Sequence, residues 1–517
     1  YDWSNDKHAV GALVGTSYEH YKYERLAGSR EEFPSDALTD MEAGSTSGAG
    51  YTNGAGSSEY KMLSYFARVN YTLMDRYLFE VNMRADASSR FHKDHRWGYF
   101  PSFSAGWRMS EESFMKDIEW INNLKIRASY GTLGNINNVG NYDYFQNYSS
   151  GNHYNFSDSP VIGIGESKPA NETLGWEKVA LTDIGLDFDI FNGLLGVTAD
   201  YYIKNTSDIL LGYNVPTETG ITAAPSQNIG KVKNTGFELA LNHRNKIGAV
   251  NYSIGANIAT NKNKITNLGG SDNIIQTSSY IVKYILKKGE SIGSFYGFKT
   301  DGLYTQADID AGHYYTLSGV VPNAGDIKFV PQRDIEYKQE ITDEDRTILG
   351  KDVPDFTYGV NLSLQYKGFE FSMFGQGISG TKVAFDVYGV HPFYHGQDSP
   401  RKYHLKRWTE ENPNPHAAYP RIYSASSVHT TYNRNFSDYH LFDSDYFRFK
   451  TLSLGYTVPS ATVKNWGLQS LKVYVTGENL FTVRADKKME DFDPETAGGV
   501  IYTLGTKSVA FGVNISF

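Results

Sequence analysis

The sequence of 517 residues contains no cysteine. Disulfides, thiol catalysis and thiolate metal sites are therefore excluded. The chain also lacks an apolar run of about 18 residues, so we expect no transmembrane helix. The formal net charge is -9 and no stripe of Arg and Lys residues stands out, which argues against a nucleic-acid partner.

Aromatic residues and glycine are abundant instead. Aromatic side chains make up 15% of the sequence, with 39 Tyr, and Gly contributes 50 residues. Tyr and Trp concentrate at membrane interfaces, and Gly suits turns and close strand packing. The mean hydropathy of -0.46 resembles that of a soluble protein. A transmembrane barrel has the same property, because only alternate strand residues face lipid and its outer loops are polar.

The last ten residues alternate strictly between apolar and small or polar side chains. The apolar row consists of Val509, Phe511, Val513, Ile515 and Phe517. Strict alternation predicts a strand with one apolar face and one wet face. Such a strand ending in Phe is typical of the closing strand of an outer-membrane β-barrel.

The same alternation recurs in earlier segments, so that about fourteen strands are predicted in total. A change of parity between Phe449 and Leu452 predicts a bulge in one of them. The earlier segments are 10–16, 63–71, 76–86, 103–107, 124–130, 184–190, 195–203, 237–241, 250–258, 356–364, 369–373, 447–456 and 471–475.

Short and long connections alternate between these segments. Short hairpin turns are predicted at 192–193, 246–248 and 367–368. Alternation of short periplasmic turns with long outer loops is typical of a transmembrane barrel, whereas a soluble β-sandwich or propeller is the alternative source of alternating strands. The predicted outer loops are 27–59, 132–176, 205–235, 261–355, 378–445 and 484–507.

An ordered series of motifs accompanies the strands from about residue 59 to residue 517. The series resembles the SusC/RagA-type TonB-dependent transporters of Bacteroidota outer membranes. The motifs are DRYLFE at 75–80, RADASSRF at 84–91, RWGYFPS at 96–102, SAGWR at 104–108, LKIRASYG at 124–131, GN at 134–135, TLGWE at 173–177, NTGFE at 234–238, RWTEENP at 407–413 and TGENLF at 476–481.

This resemblance implies a barrel of about 22 strands with a plug inside it. The chain, residues 1–517, would be its carboxyl-terminal part, with about the last fourteen strands and without the plug or the TonB-contacting segment. We therefore expect that Tyr1 is not the biological first residue. The resemblance further implies active import of oligosaccharides or peptides, driven through the TonB complex, with a SusD-like surface lipoprotein as a lid.

Two other functions remain open at this point. A stand-alone passive channel of about fourteen strands would need neither plug nor TonB. A secreted glycan-binding or adhesive β-protein would explain the aromatic loops without any membrane.

Two loops are rich in aromatic and amide side chains. Aromatic rings stack on the CH faces of sugars and amides bind hydroxyl groups, while Tyr and Trp are equally enriched at protein interfaces. By resemblance, the same loops would contact the lipoprotein lid. The candidate substrate-binding residues are Asn137, Asn138, Tyr142, Tyr144, Tyr394, His395 and Trp408.

No catalytic residue, metal ligand or cofactor is assigned. Asp86 with Ser88 and Ser89 lacks the signature of an activated serine, so a polar wall is the preferred interpretation. The acidic runs 490–495 and 343–345 offer oxygen ligands suited to Ca²⁺ but lack the glycine and spacing of a calcium loop. We expect solvated acidic loops there.

Overall fold

The computed structural model describes residues 1–48, 50–156, 159–212, 226–277, 281–385, 391–393, 399–495 and 505–517. Its elements confirm the all-β class. The strands are β1 Asp2–Ser4, β2 His8–Ser29, β3 Thr52–Leu73, β4 Tyr77–Ser88, β5 Trp97–Arg108, β6 Ile121–Asn135, β7 Asn147–Phe156, β8 Ser159–Lys168, β9 Glu177–Ile190, β10 Leu195–Gly212, β11 Ser226–Ile247, β12 Val250–Thr260, β13 Lys262–Leu268, β14 Asn273–Thr277, β15 Lys283–Lys287, β16 Ser294–Gly297, β17 Lys299–Leu303, β18 Thr316–Leu317, β19 Ile327–Val330, β20 Glu340–Ile341, β21 Thr347–Lys351, β22 Phe356–Tyr366, β23 Phe369–Ser379, β24 Lys382–Ala384, β25 Leu441–Asp443, β26 Tyr446–Thr457, β27 Ser470–Arg484 and β28 Ser508–Ser516.

The helices are short. Among the described residues, none is long and apolar enough to cross a membrane. The α-helices are α1 Gln306–Asp310, α2 Val428–Asn433 and α3 Ser460–Lys464, and the 3-10 turns are Met41–Ala43, Met109–Glu111, Ser113–Met115, Asp343–Asp345, Lys402–Lys406, Asp438–His440 and Lys487–Asp491.

Each of the fourteen segments with predicted alternation coincides with a strand, namely β2 to β6, β9 to β12, β22, β23 and β26 to β28, and only Arg76 and Phe517 lie one residue outside. The predicted bulge in β26 is confirmed. Against β23, Gly375 pairs with Phe449 and Phe374 pairs with Thr451, so that Lys450 is the extra residue on β26. Against β27, the register also shifts between Phe449 and Thr451, where Asn479 and Leu480 of β27 lie opposite Lys450.

The chain divides into two compact units: the first comprises Tyr1–Gly106, Ser129–Thr182 and Asn205–Lys231, and the second Trp107–Ala128, Asp183–Lys204 and Val232–Phe517. In the first unit, β1 to β4 pair antiparallel in sequence order. In the second, β11, β12, β22, β23, β26, β27 and β28 pair in that order. Among the described residues, no pairing closes the strands into a barrel.

Most of the predicted apolar rows lie open on the strand surface. In a water-soluble sandwich these rows would pack against a second sheet. A contiguous exposed apolar surface indicates that the surface contacts a membrane or a protein partner. The exposed apolar side chains include Tyr65, Val69, Phe79, Val81, Met83, Ile184, Leu186, Tyr201, Ile254, Ile258, Val473, Val509, Phe511 and Val513.

The opposite face of the same strands carries charges, as in the second unit around Arg127. Its guanidinium donates to Asp200 Oδ2 at 2.8 Å and to Asp183 and Asp187 at 3.3 Å each. Gly185 lies between them, where a Cβ atom would collide with the Arg127 guanidinium and with Asp200. Because Ile184 and Leu186 point the other way, one short segment presents an ion network on one face and an apolar row on the other.

The strands of the β2–β3 hairpin are longer than the sequence pattern predicts. Each contains 22 residues, and the predicted loop 27–59 therefore narrows to residues 30–51. A strand of 22 residues spans about 75 Å at roughly 3.4 Å per residue. The hydrocarbon core is about 30 Å thick, so only part of this hairpin can contact it.

The other predicted loops also contain regular structure. Residues 132–176 include the β7–β8 hairpin, and residues 205–235 include the end of β10 and the start of β11. Residues 261–355 and 378–445 contain short strands, and side chains from both ranges pack together into hydrophobic cores. The largest of these cores includes Phe298, Leu303, Leu317, Ile327, Phe329, Trp408 and Tyr432.

The two faces of β12 should differ in their tolerance of charge. Ile254 lies in the exposed apolar row, and Asn257 lies on the opposite face of the same strand. In the full-length protein in lipid vesicles, we expect Ile254→Arg to lower the free energy of unfolding by about 2–4 kcal/mol. Asn257→Arg should cost much less, because its face is hydrated. Urea unfolding followed by Trp fluorescence measures both, and equal losses would contradict the assignment of faces.

Candidate functional site

Four predicted binding residues lie in the connection between β6 and β7 of the first unit. These are Asn137, Asn138, Tyr142 and Tyr144. The ring of Tyr144 stacks on Phe145 with 4.2 Å between centroids and meets the edge of His92 at 6.1 Å. The structure therefore places an aromatic cluster at this point of the loop.

The buried carboxylate of Glu177 holds the first turn of this loop. Asn135 Nδ2 donates to Glu177 Oε2 at 2.7 Å, and Asn138 Nδ2 donates to Oε1 at 3.3 Å. The backbone N–H of Leu210 donates to Oε1 at 3.0 Å. Glu177 is thus a positioning residue that the sequence analysis missed. The amide of Asn138, predicted to bind a ligand, here donates to a protein carboxylate.

Tyr142 and Phe145 present the accessible aromatic surface of the loop. Both rings are exposed. The Tyr142 hydroxyl accepts a hydrogen bond from the backbone N–H of Glu59 at 3.3 Å, which ties the loop to the β2–β3 hairpin. Asn137 is also exposed, and its backbone N–H donates to Asn135 Oδ1 at 3.0 Å. This arrangement can stack on a flat apolar face and bind polar groups at its rim.

The β7–β8 hairpin, which the sequence analysis did not predict, adds Val161, Ile162 and Ile164 to the aromatic residues of this loop. The rings of Tyr154 and Phe156 lie 4.7 Å apart. Exposed apolar side chains that cluster on one hairpin are typical of protein interfaces. The signal in the sequence was the β-branched run Val161-Ile162-Gly163-Ile164. The exposed side chains are Tyr148, Tyr154, Phe156, Val161, Ile162 and Ile164.

The other three predicted residues belong to the second unit. Tyr394 and His395 lie outside the described residues. Trp408 is 5% exposed and packs in the loop core, where its backbone N–H donates to the carbonyl of Tyr419 at 2.9 Å. The Trp408 ring occupies the space that a Cβ atom on residue 325 would need, and this residue is a glycine at φ +91°. The Arg421 guanidinium lies 5.4 Å from the centroid of the Trp408 ring. The structure therefore gives Trp408 a packing role.

The expectation of solvated acidic loops is confirmed only in part. Asp343, Glu344 and Glu490 are exposed, whereas Asp345 and Asp493 are buried or half-buried beside arginines. Arg448 donates to Asp493 at 2.6 Å and to Glu495 at 2.7 Å. Burial would raise the pKa of Asp493, but the hydrogen bonds from Arg448 and the Glu495 N–H, together with the charges of Arg448 and Arg484, outweigh burial and lower that pKa. Among the described residues, no group of three or more His, Asp or Glu side chains is arranged to hold a metal ion.

Asp345 of the second acidic run is fully buried. Arg333 Nη2 donates to its Oδ2 at 2.7 Å, and the backbone N–H groups of Gln332, Arg333 and Thr342 donate to it as well. Burial would raise the pKa of this carboxyl, but these hydrogen bonds hold the pKa at about 2. The carboxylate is therefore a fixed structural element of the loop core.

Buried histidines lie in the same loop region. The rings of His391 and His440 are 5.2 Å apart, and His440 Nδ1 lies 3.1 Å from Ser437 Oγ. Burial lowers the pKa of His440 to about 4 and lowers the pKa of His391 well below its ordinary value of 6.5. Both rings are thus neutral in the folded loops at neutral pH.

These features define an integral membrane protein built from β-strands. Its apolar rows are exposed, its opposite strand faces are charged, and its long loops are folded. The family model described as TonB dependent receptor-like, beta-barrel matches residues 1–480. The chain belongs to this family and is of the SusC/RagA type, whose members are proteins of the outer membrane.

Curated relatives come from Bacteroidota. TonB-dependent receptor P3 of Formosa agariphila is 31% identical over 492 residues, which are 93% of this chain and 47% of that protein. TonB-dependent receptor SusC of Bacteroides thetaiotaomicron is 29% identical over 467 residues, which are 88% of this chain and 43% of that protein. The chain therefore spans about half the length of the curated relatives that it matches.

Solved structures show the same fold. The RagAB peptide transporter matches with a TM-score of 0.81 and 25% sequence identity, covering 100% of this chain and 54% of that chain. RagAB in its "closed-closed" state matches with a TM-score of 0.78 at the same identity and coverage. The TonB-dependent receptor barrel fold is thereby supported.

Removing the Glu177 carboxylate should loosen the aromatic loop. Glu177→Ala leaves the amides of Asn135 and Asn138 and the N–H of Leu210 without their acceptor. We expect a loss of about 1–3 kcal/mol in local stability. Hydrogen exchange of the amides of residues 135–145 measures this loss. Glu172→Ala, at an exposed carboxyl nearby, is the control, and equal exchange in both variants would refute the positioning role.

The second-unit loops should lose stability in acid. Folding keeps His440 neutral, whereas the unfolded segment takes up a proton below its ordinary pKa of 6.5. The contribution to stability is therefore complete above pH 6.5 and is lost as the pH falls towards 4. The difference corresponds to about 3 kcal/mol at the acid end.

Hydrogen exchange of residues 432–443 at pH 7, 5.5 and 4 measures this change. His440→Gln should reduce the pH dependence and leave the part that His391 contributes, and His313→Gln, at an exposed ring, should leave the pH dependence unchanged. Acid-independent exchange in the wild type would contradict the assignment.

Proposed function

We propose that this chain forms part of an active importer of the outer membrane that takes up oligosaccharides or peptides. Family membership over residues 1–480 carries the proposal. The exposed apolar rows and the folded loops are consistent with it. Energy would come from the TonB complex, and a SusD-like surface lipoprotein would act as the lid.

The proposed reaction breaks no covalent bond. A solute is selected because its affinity differs between an open and a closed state of the assembly. RagAB, which is similar to this chain, is a peptide importer for which a "closed-closed" state has been solved. In this proposal the long loops supply the surface on which the lid and the solute meet.

Tyr142 and Tyr144 are the predicted residues whose geometry fits such a surface best. Tyr142 is exposed, and Tyr144 is fixed by Phe145 and His92. The β7–β8 hairpin, on the same unit, adds apolar area suited to a protein partner. Asn137 lies in the same loop, whereas Tyr394 and His395 remain sequence predictions.

Uptake that depends on TonB is the main test. The full-length protein is expressed in a Bacteroidota strain that lacks its own copy, and cells receive labelled pools of neutral oligosaccharides or of peptides. We expect accumulation of one pool, with loss of at least tenfold when TonB is deleted. Accumulation that continues unchanged without TonB would contradict active import and favour the passive channel.

The loop variants refine this test. Replacing Tyr142 and Tyr144 together by Ala should raise the half-saturation concentration of uptake by roughly thirtyfold, since each aromatic contact is worth about 1 kcal/mol. Tyr99→Ala, at an exposed ring on β5, is the matched control. If Tyr99→Ala affected uptake as much as the double variant, the loop would not be part of the proposed site.

A further inference from the structure

Four side chains of β23 and β26 in the second unit converge on the carboxylate of Glu495. Arg448 Nη1 donates to Glu495 Oε2 at 2.7 Å, and Lys450 Nζ donates to the same oxygen at 2.7 Å. The Tyr446 hydroxyl donates to Oε1 at 3.1 Å, and Gln376 Nε2 donates to Oε1 at 3.2 Å. Each oxygen thus accepts two hydrogen bonds, so that the acceptor capacity of the carboxylate is filled.

The strands fix the positions of these four donors. Tyr446 and Arg448 occupy alternate positions of β26 and share its polar face, and Gln376 of β23 pairs directly with Arg448. Arg448 Nε also donates to Thr482 Oγ1 of β27 at 2.9 Å. Lys450 is the extra residue of the bulge in β26. The donors therefore form a preorganised site for an anion with the fork geometry of a carboxylate.

The group that fills this site comes from a different element, the loop that follows β27. This loop has anchors that do not involve the Glu495 side chain. Phe492 is 2% exposed and stacks on Phe385 with 4.4 Å between ring centroids. Asp493 Oδ1 accepts a hydrogen bond from Arg448 Nη2 at 2.6 Å. Glu495 is thus a tethered group that can leave its donors while the loop stays attached.

Glu495 occupies the site as an ionised group. Burial would raise the pKa of its carboxyl, but the hydrogen bonds from Lys450 and Tyr446, together with the charges of Arg448 and Lys450, outweigh burial and lower that pKa. Hydrogen bonds to a charged acceptor are stronger than those to a neutral one. The donors therefore select a carboxylate over an amide or a hydroxyl group.

Solvent reaches the site through a cavity of about 400 Å³ beside Glu495. Tyr446 and Gln376 line this cavity, and the Glu495 side chain is 24% exposed. Lys382 and Asp352 line it as well. A small solute in the cavity can therefore approach two of the four donors directly.

We propose that these donors form a carboxylate-binding site whose built-in occupant is Glu495, and that a free carboxylate from the cavity can replace it. The incoming group accepts the same four hydrogen bonds, while Glu495 exchanges them for bonds to water. An ammonium group has no acceptor and cannot take this place. As long as Glu495 stays bound, the site is closed, so the loop inhibits binding at its own wall. This exchange requires neither TonB nor import.

Calorimetric titration of the full-length protein in detergent tests the exchange. The probes are glutarate and citrate at constant ionic strength. Glu495→Gln should bind them at least about tenfold more tightly than the wild type, because loss of a tethered competitor raises the fraction of open sites. A purely structural role of Glu495 would not increase affinity. Adding Lys450→Gln to Glu495→Gln should abolish the gain.

Two further variants support this comparison. Glu490→Gln, at a side chain of the same loop that is 70% exposed, is the matched control and should bind as the wild type does. Glu495→Ala removes the occupant altogether and should show the same gain as Glu495→Gln. Thermal unfolding of each variant is measured in parallel, and affinities are compared among variants that keep the wild-type midpoint.

Several results would overturn the proposal. One is carboxylate binding by both Glu495 variants that is no tighter than that of the wild type, and another is the absence of binding by every variant. Sulfate binding to Glu495→Gln as tight as glutarate binding would contradict the assignment to carboxylates. Uptake that does not depend on TonB would overturn the import function alone, because the titration contains no TonB.

Discussion

The alternation of side chains along the long strands is the constraint on which the rest of the structure depends. In hydrocarbon every backbone N–H and C=O must be paired within the protein, so the chain must form continuous strand ladders. Each strand then has one face for lipid and one for water. The segment around Gly185 shows both at once, with Ile184 and Leu186 exposed on one side and the Arg127 network on the other.

The sequence predicts this part of the fold well, because period-two alternation is a local property. It located fourteen strands, namely β2 to β6, β9 to β12, β22, β23 and β26 to β28, and the bulge at Lys450. It did not predict where the strands end. Residues 17–29 of β2 continue the ladder with polar and aromatic side chains, so the apolar signal fades while the pairing with β3 continues. The β7–β8 hairpin was missed for a related reason, since Gly and Asn interrupt its alternation and its register shifts near Ser150.

The loops were predicted less well, because their residues are positioned by contacts between distant parts of the chain. The sequence suggests that Asn138 is an exposed amide, yet its side chain donates a hydrogen bond to Glu177, which lies 39 residues further along the chain. The sequence suggests that Trp408 is an accessible aromatic residue of a loop, yet its ring packs against Gly325 and Arg421. The carboxylates of Asp345 and Asp493 are held by Arg333 and Arg448. In the proposed importer, folded loops of this kind would meet a solute or a lid with a surface that is already fixed, whereas flexible loops would have to become ordered on binding.

Site-directed spin labelling of β12 in the full-length protein tests the central claim most directly. A nitroxide is placed in turn at residues 250–259 in lipid vesicles, and its accessibility is measured to oxygen, which dissolves in hydrocarbon, and to a water-soluble nickel complex. Because side chains alternate across a strand, both accessibilities should vary with a period of two residues and in opposite phase. Oxygen accessibility should peak at Tyr252, Ile254, Ala256 and Ile258. The account would be contradicted if neither accessibility varied with a period of two residues. It would also be contradicted if accessibility to the nickel complex were highest at residues 252, 254, 256 and 258.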